Sequence, residues 1–515
     1  MINELIFKFL KIPRFFRILI LLFSFLSLFI LPNRYFYRIF EIILFIFLVT
    51  ETKDTLKGGI FTYILLSAIE VGKNFPSVIV SIPINFSLFF YLRNYTAAFV
   101  LLDSDILLLF IIYLIIRKII EGTFLKKSFK PFNFDIYYLL FILILFVSTL
   151  FSQNPGNSFI GFLLVFRGLI IFILFRFINL KIIKKNLFLL FTGILLFQSI
   201  LGILQYIKKA PIGFIFEIGR YLYASGINQQ EGLYTFFRPT GTFTEPNLYA
   251  LILNMLIPFV LISFLKIKNE SSKVFFGLTF FTGSIAIFLS FSRMGWFIYF
   301  LNLIIIFFIY KNNFINEYIT FKSVLKEYKR ARIYLILFLS VFMVFFITSA
   351  VPRIINLNIS IFEKWGSFNS RLFLVNESFK IININPLLGV GFFNFVPNMV
   401  ALTDTPLNEI YLSSVNNIYL LVATEAGLPA LFIFLLFIRS LFAKGLLIRK
   451  TMGNRSNIRM TENKDLLYSF LISIFSFFFG GMFLSYFYAG IQYVFLNIIL
   501  GLYANLLSSI SLDNP

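Results

Sequence analysis

The chain of 515 residues is 59% hydrophobic and only 13% charged, which leaves too little polar surface to cover a soluble globule. Its formal net charge of +22 would suit nucleic acid, but the Lys and Arg residues form short clusters between apolar runs, so we expect membrane lipids as partners and no nucleic acid. The absence of His and Cys leaves carboxylates, Lys, Tyr and water for proton transfer.

Apolar runs long enough to cross a bilayer recur along the whole chain. We predict spans near residues 14–31, 35–50, 74–92, 97–117, 136–152, 158–179, 186–206, 247–265, 274–291, 295–310, 332–351, 416–441, 466–486 and 489–508. The fold class is therefore all-α, a polytopic transmembrane helix bundle of about 12–14 spans. Gly59–Ala68 is either an extra or a re-entrant segment.

The basic residues orient this bundle. If the spans alternate, five basic linkers fall on one side, at Arg117–Lys130, Lys181–Lys185, Lys266–Lys273, Lys322–Arg330 and Arg449–Arg459. The positive-inside rule makes that side the cytoplasm. Both long connections, 207–246 and 352–415, then lie outside, and connections of this length usually carry binding or catalysis.

Four arginines stand where lipid or an outer surface should disfavour them. Arg167 lies in the middle of a span, where it either forms a buried pair or contacts a ligand. Arg238 lies in the first long connection, Arg293 in a short outer turn and Arg371 in the second long connection. Each outer arginine has an ordinary explanation as a snorkelling, turn or interfacial residue, but three together can clamp an anion.

Further polar motifs follow in the second long connection. Apolar residues with charged ones among them predict an interfacial helix over Ser370–Ile384, which Pro386 ends. Asn416 and Asn417 open the next span, where they can cap the helix or help its N-terminus to bind phosphate. Glu425, deeper in this span and before a Gly-Leu-Pro break, indicates either packing against a polar partner or a functional cavity.

In chain order, these motifs resemble those of the O-antigen ligase and Wzy-type polymerase superfamily of bacterial surface-polysaccharide enzymes. The matching elements are Arg238-Pro-Thr-Gly-Thr-Phe with Pro246-Asn247, Ser292-Arg293-Met-Gly295, Arg371 with Pro386-Leu-Leu-Gly389-Val-Gly391, and Asn416-Asn417-Ile-Tyr419-Leu420 with Glu425-Ala-Gly427. They span about 200 residues of the C-terminal half. The N-terminal half resembles the family only as a set of helices.

The resemblance implies an enzyme of the plasma (inner) membrane, similar in fold to the GT-C lipid-sugar glycosyltransferases and needing no metal or other cofactor. It implies inverting transfer of an undecaprenyl-diphosphate-linked glycan, on the periplasmic side, to an acceptor. The acceptor is the lipid A-core in the ligase branch and another lipid-linked glycan in the polymerase branch. By similarity, Arg293 and Arg371 would bind the diphosphate, with Arg238 supporting them and Arg167, Asn417 and Glu425 in secondary positions.

The sequence departs from the family pattern at Asn416, where ligases carry a His that is proposed to deprotonate the acceptor hydroxyl. An Asn side chain has no basic site near neutral pH. Three explanations stay open. Glu245 or Glu377 serves as the catalytic base, or leaving-group stabilisation drives the reaction while Asn416 orients the acceptor, or the protein is inactive or acts on something else.

We predict N-terminal transmembrane helices over residues 1–206, a ligase/polymerase-like core over 207–441, and a cytoplasmic loop with C-terminal transmembrane helices over 442–515. The main alternative function is a transporter or flippase of a lipid-linked saccharide without transfer activity. Transporters commonly show paired halves with polar residues at mid-bilayer, whereas most motifs here lie toward one surface, which favours the enzyme.

Overall fold

The computed structural model describes residues 9, 12–30, 34–67, 72–74, 100–121, 131–178, 180–213, 223–224, 236–327, 369–402, 413–452, 458–484 and 491–513. Its first seven helices are α1 (Arg14–Ile30), α2 (Arg34–Thr52), α3 (Thr55–Leu66), α4 (Asp103–Ile120), α5 (Asn133–Leu150), α6 (Pro155–Phe177) and α7 (Leu180–Lys208). The remaining helices are α8 (Pro246–Lys266), α9 (Glu270–Leu289), α10 (Arg293–Glu327), α11 (Asn369–Ile384), α12 (Phe395–Leu402), α13 (Ile418–Met452), α14 (Ile458–Gly480) and α15 (Ile491–Asp513). Two short antiparallel pairs join β1 (Gly72–Asn74) to β2 (Val100–Leu102) and β3 (Tyr223–Ala224) to β4 (Phe236–Phe237).

The predicted polytopic helix bundle is confirmed. Within the described ranges, nine helices are long and apolar enough to cross a membrane, at Asn133–Leu150, Pro155–Phe177, Asn186–Lys208, Pro246–Lys266, Glu270–Leu289, Arg293–Ile315, Ile418–Met452, Thr461–Phe483 and Tyr493–Ser511. Three further predicted spans coincide with α1, α2 and α4, which are shorter or more charged than these nine. The predicted spans 74–92 and 332–351 lie outside the described residues, apart from Asn74.

Of the segment Gly59–Ala68, left open by the sequence, residues 59–66 belong to α3. This helix has only 12 residues, a rise of about 18 Å, and is therefore shorter than a bilayer core. Asp54 caps its first turn by accepting from Leu56 N at 2.8 Å. The helix is buried on almost every side.

Helix α8 forms the centre of the bundle. Its sequence is apolar around its whole circumference, which suits a helix surrounded by protein. It packs against α7, α9, α10 and α14. Even its one mid-helix amide is used, because Asn254 donates to Gly295 O in α10 at 3.0 Å. The motifs on either side of α8 are therefore held by one common core helix.

Basic loops converge at one end of the bundle, which we call the basic end. Lys184 at the start of α7 lies 3.3 Å from Glu462 of α14. Lys266 at the end of α8 lies over the ring of Tyr310, 5.0 Å from its centroid. Since α7, α8 and α14 reach this end together, the predicted alternation of the spans holds for them, and the opposite ends of these helices carry the motifs.

A buried ion pair at the basic end was not foreseen from the sequence. Arg176 of α6 donates to Asp135 of α5 at 3.2 Å, and both side chains are less than 10% exposed. Arg176 also donates to Ala504 O and Ser508 Oγ of α15. One guanidinium therefore joins three helices.

Candidate functional site

A tight turn between α9 and α10, which we call the arginine turn, carries Arg293. Phe291 has a positive φ of 50°, and Ser292 Oγ accepts from Gly295 N at 3.2 Å as the cap of α10. Gly295 faces α8 so closely that an added Cβ would lie 2.6 Å from the Cβ of Ala250. The geometry of this turn therefore requires Ser292 and Gly295 of the Ser-Arg-Met-Gly motif. The Arg293 side chain is exposed, at the end of the bundle opposite the basic loops.

Arg238 braces this turn. Its Nε donates to Ser290 O at 2.9 Å, and its Nη2 donates to Asn247 Oδ1 at 3.0 Å. The carbonyl of Ser290 belongs to the end of α9, where an arginine commonly satisfies a helix carbonyl. Arg238 thus links the residues before α8 to the turn before α10, which gives it a positioning role beside the predicted support of a diphosphate.

Two glutamines of α7, which the sequence analysis did not single out, hold the segment after Arg238. Gln205 accepts from Gly241 N at 2.9 Å and donates to Gly241 O at 2.8 Å. Gln198 donates to Thr242 Oγ1 at 2.7 Å. Both side chains are fully buried. Their spacing of seven residues places them on one face of α7, a pattern that could have identified them.

Arg371 acts electrostatically on Arg293, and their shared site stays a prediction. The predicted interfacial helix over Ser370–Ile384 is found as α11, and Arg371 is exposed in its first turn. The two guanidinium groups are close enough for their positive charges to repel each other. An anion bound by both would relieve that repulsion.

Asn416 and Asn417 have different roles at the start of α13. Asn417 Oδ1 accepts from Tyr419 N at 2.9 Å and from Leu420 N at 3.1 Å, so Asn417 is the helix cap. Among the described residues, no group donates to or accepts from the side chain of the half-buried Asn416. Capping therefore accounts for Asn417 and leaves the amide of Asn416 available to a ligand.

The end of α14 connects Asn416 to the arginine turn. An added Cβ on Gly480 would lie 3.5 Å from Met294 Sδ, next to Arg293. An added Cβ on Gly481 would overlap Ile418, two residues after Asn416. The first turns of α10 and α13 therefore lie on either side of the last turn of α14, at the same end of the bundle.

The predicted break after Glu425 is present and is covered by residues 386–394, which we call the clasp. Gly427 interrupts α13 with a φ of 86°. The clasp satisfies the broken backbone, because Gly391 N donates to Glu425 O at 2.9 Å and Leu428 N donates to Pro386 O at 2.8 Å. Glu425 itself is buried, and its carboxylate accepts from Phe395 N at 3.3 Å. These contacts give Glu425 and the Gly-Val-Gly motif a packing role.

The clasp is also fixed to the turn between α5 and α6. Ser148 Oγ donates to Leu388 O at 2.7 Å, and Asn394 Nδ2 donates to Ser152 Oγ at 2.7 Å and to Ser158 Oγ at 2.9 Å. The helix that carries Arg371 and the helix that begins after Asn416 are therefore joined through one rigid segment. We expect this segment to set the distance between their side chains.

Replacing Gly389 with alanine is expected to lower the free energy of unfolding by about 3 kcal/mol. Gly389 has a φ of 66°, and an added Cβ would overlap the backbone of Glu425, which cannot turn away as a side chain can. The thermal unfolding midpoint in detergent measures the loss. Gly193→Ala is the matched control, because open space surrounds Gly193 within α7 and the change should be neutral or slightly stabilising. Equal midpoints for Gly389→Ala and wild type would contradict the packing role of the clasp.

The remaining predicted residues are placed as follows. Glu245 is half-buried and immediately precedes α8, with Pro246 as its first residue. Glu377 lies on the buried face of α11 and pairs with Lys380 at 2.7 Å. Arg167 lies about 18 Å along α6 from its start and acts electrostatically on Tyr493 of α15. Within the described residues, no group of three or more acidic side chains could hold a metal ion.

Residues 278–435 match the family model described as O-Antigen ligase. The matching segment begins in α9, ends in α13 and contains Arg293, Arg371 and Asn416, so it includes the arginine turn, α11 and the clasp. This match supports the resemblance to the O-antigen ligase and polymerase superfamily found in the motifs. No curated protein matches the chain.

Proposed function

We propose that this protein transfers a glycan from undecaprenyl diphosphate to an acceptor sugar at the periplasmic face of the plasma membrane, during assembly of a bacterial surface polysaccharide. One observation carries the proposal. Arg293 is partly desolvated and also experiences the positive charge of Arg371, and both residues lie inside the segment that matches the O-antigen ligase family. They lie at the end of the bundle opposite the basic loops, which the positive-inside rule assigns to the periplasm. The catalytic core of this proposal is residues 207–441.

The chemistry requires a positive site for the leaving group. When the bond between the anomeric carbon and the diphosphate breaks, negative charge builds on the diphosphate oxygens. Two guanidinium groups fixed in advance stabilise that charge without reorganising during the reaction. Arg238 holds the turn that carries Arg293, so its contribution to the site would be mostly indirect. The transfer would invert the anomeric carbon and would need no metal ion.

Asn416 would orient the acceptor sugar, since its amide can donate to one hydroxyl and accept from another. Asn416→Ala is expected to slow transfer about tenfold through the loss of those hydrogen bonds, with little effect on unfolding. Asn416→His is expected to raise the rate, because an imidazole at this position can also take a proton. The rates are measured in membranes that contain the lipid-linked donor.

Asn417→Ala is the matched comparison for Asn416. Because Asn417 caps α13, its loss should lower the free energy of unfolding by about 1 kcal/mol and leave the rate per folded molecule nearly unchanged. If Asn416→Ala and Asn416→His both transfer at the wild-type rate, Asn416 does not contact the acceptor.

Deletion of the gene tests the function as a whole, with surface polysaccharide analysed on a gel. We expect loss of polymer on the cell surface and recovery with the wild-type gene. Single repeats that persist without longer chains would identify a polymerase, and free lipid-linked polymer with an uncapped core would identify a ligase. Unchanged polysaccharide would refute both. Lipid-linked saccharide retained on the cytoplasmic side would instead support the transporter alternative.

A further inference from the structure

Glu377 is a buried carboxylate whose hydrogen bonds are only half satisfied. It is 2% exposed, on the face of α11 that also buries Leu374 and Ile381. Its Oε1 accepts from Lys380 Nζ at 2.7 Å, while its Oε2 is buried and has no hydrogen-bond partner among the described residues. A buried acceptor without a donor costs free energy that an apolar residue would not. Packing alone therefore does not explain an acid at this position.

Lys380 pairs with this carboxylate without covering it. Its side chain is 59% exposed and pairs with Oε1 only. An exposed partner of this kind is held weakly and can move away into solvent. The pair therefore occupies one carboxylate oxygen and leaves the other for a further proton donor.

Glu425, another carboxylate described at this end of the bundle, serves the fold, and Glu245 is only half-buried. Glu425 accepts from Phe395 N through its side chain and from Gly391 N through its carbonyl oxygen. Glu245 precedes the first turn of the central helix, and its carbonyl oxygen accepts from Tyr249 N. With no His or Cys in the chain, Glu377 is the best placed of these groups to accept a proton.

We propose that Glu377 is the general base of the transfer, an inference that rests on the proposed function above. Its Oε2 takes the proton of the acceptor hydroxyl while the acceptor oxygen bonds to the anomeric carbon. The bond from that carbon to the diphosphate breaks, and its electron pair leaves on the diphosphate, next to Arg293 and Arg371. The rise along α11 from Arg371 to Glu377 is about 9 Å.

The burial of Oε2 adds a requirement to this step. Helix α11 packs on α13, so it has to shift as the acceptor enters. Catalytic hydrogen bonds commonly form only in the complex with substrate. The clasp joins the far end of α11 to α13. The first turns of the two helices could therefore separate while the clasp stays bound to α13.

The test compares Glu377→Gln with wild type in membranes that contain the cell's own lipid-linked glycan. Glutamine keeps the shape of the side chain but removes its basicity, so kcat should fall about 100-fold or more, with the KM for the donor unchanged. In Glu377→Ala, added formate should restore part of kcat, because a small carboxylate can occupy the vacated space. Glu270→Gln, which changes an exposed acid at the basic end, is the matched control and should keep the wild-type kcat.

Three results would overturn the inference. Glu377→Gln with a kcat near that of wild type would show that the carboxylate takes no proton. A loss of folded protein in both variants, with no rescue by formate, would assign Glu377 to packing. In either case, the proposed function would still hold if the wild-type protein transfers the glycan. A wild-type protein that transfers no glycan would overturn the function and this inference together.

Discussion

Replacing Arg293 or Arg371 with alanine is expected to reduce glycan transfer at least about 100-fold while the protein still accumulates in the membrane. In the proposed site, each variant would remove one of two positive charges beside the leaving group. Because both side chains are exposed, neither substitution leaves a cavity, and the free energy of unfolding should change little. Transfer is measured on surface polysaccharide, and accumulation by immunoblot of the membrane fraction.

The double variant separates a shared anion from two independent contacts. If both arginines hold one diphosphate, the second substitution should cost less than the first, because the bound geometry is already lost. Lysine at either position keeps the charge but loses the paired donors of a guanidinium, so its effect should be intermediate. Arg117→Ala is the control, since Arg117 is exposed and pairs with Glu121 across one helical turn. Wild-type transfer by both single alanine variants would refute the diphosphate clamp.

The bundle and its polar positions could be predicted because lipid makes hydrophobicity informative. A long apolar run has few alternatives to a spanning helix, and an arginine beside such a run stands out. The helix over Ser370–Ile384 was found within one residue of its predicted start for the same reason. The shared site of Arg371 and Arg293 stays a prediction, made from their common side of the membrane and from the family resemblance.

The contacts that hold the site could not be predicted because they join residues far apart in the chain. In the sequence, Gln205 is one polar residue within an apolar span. The structure shows that its side chain hydrogen-bonds to Gly241. The Gly-Val-Gly motif gives no indication that it pairs with the backbone of Glu425. Hydrophobic periodicity predicts which face of a helix is buried, but it does not predict which polar groups contact each other inside the core.

Arg238 shows how a motif residue can gain a second interpretation. The sequence placed it among three arginines of the outer face, where all three could bind the same anion. The structure places its Nε and Nη2 on Ser290 O and Asn247 Oδ1. A residue that fixes the turn of Arg293 would be required for transfer without contacting the substrate, so loss of activity in an Arg238 variant would not by itself identify a ligand.

Breaking the pair between Asp135 and Arg176 is expected to have the largest effect on stability. Arg176→Ala should lower the free energy of unfolding by about 3–5 kcal/mol, because it leaves a buried carboxylate without its counter-charge. Asp135 Oδ1 already lacks a hydrogen-bond partner among the described residues. Without Arg176, the buried carboxylate of Asp135 would lose a hydrogen bond to its other oxygen as well. The thermal unfolding midpoint in detergent and the yield of folded protein measure the loss.

The double variant Asp135→Leu with Arg176→Met tests whether the charge or the shape matters. Replacing a buried ion pair with apolar residues of similar size is often neutral, so most of the lost stability should return. About 1 kcal/mol should stay lost, because Asp135 also accepts from Phe132 N at the start of α5. An unchanged midpoint in Arg176→Ala would contradict the structural role of the pair. Because the pair lies at the basic end, the transfer rate per folded molecule should survive in these variants, the reverse of the result expected for Arg293 and Arg371.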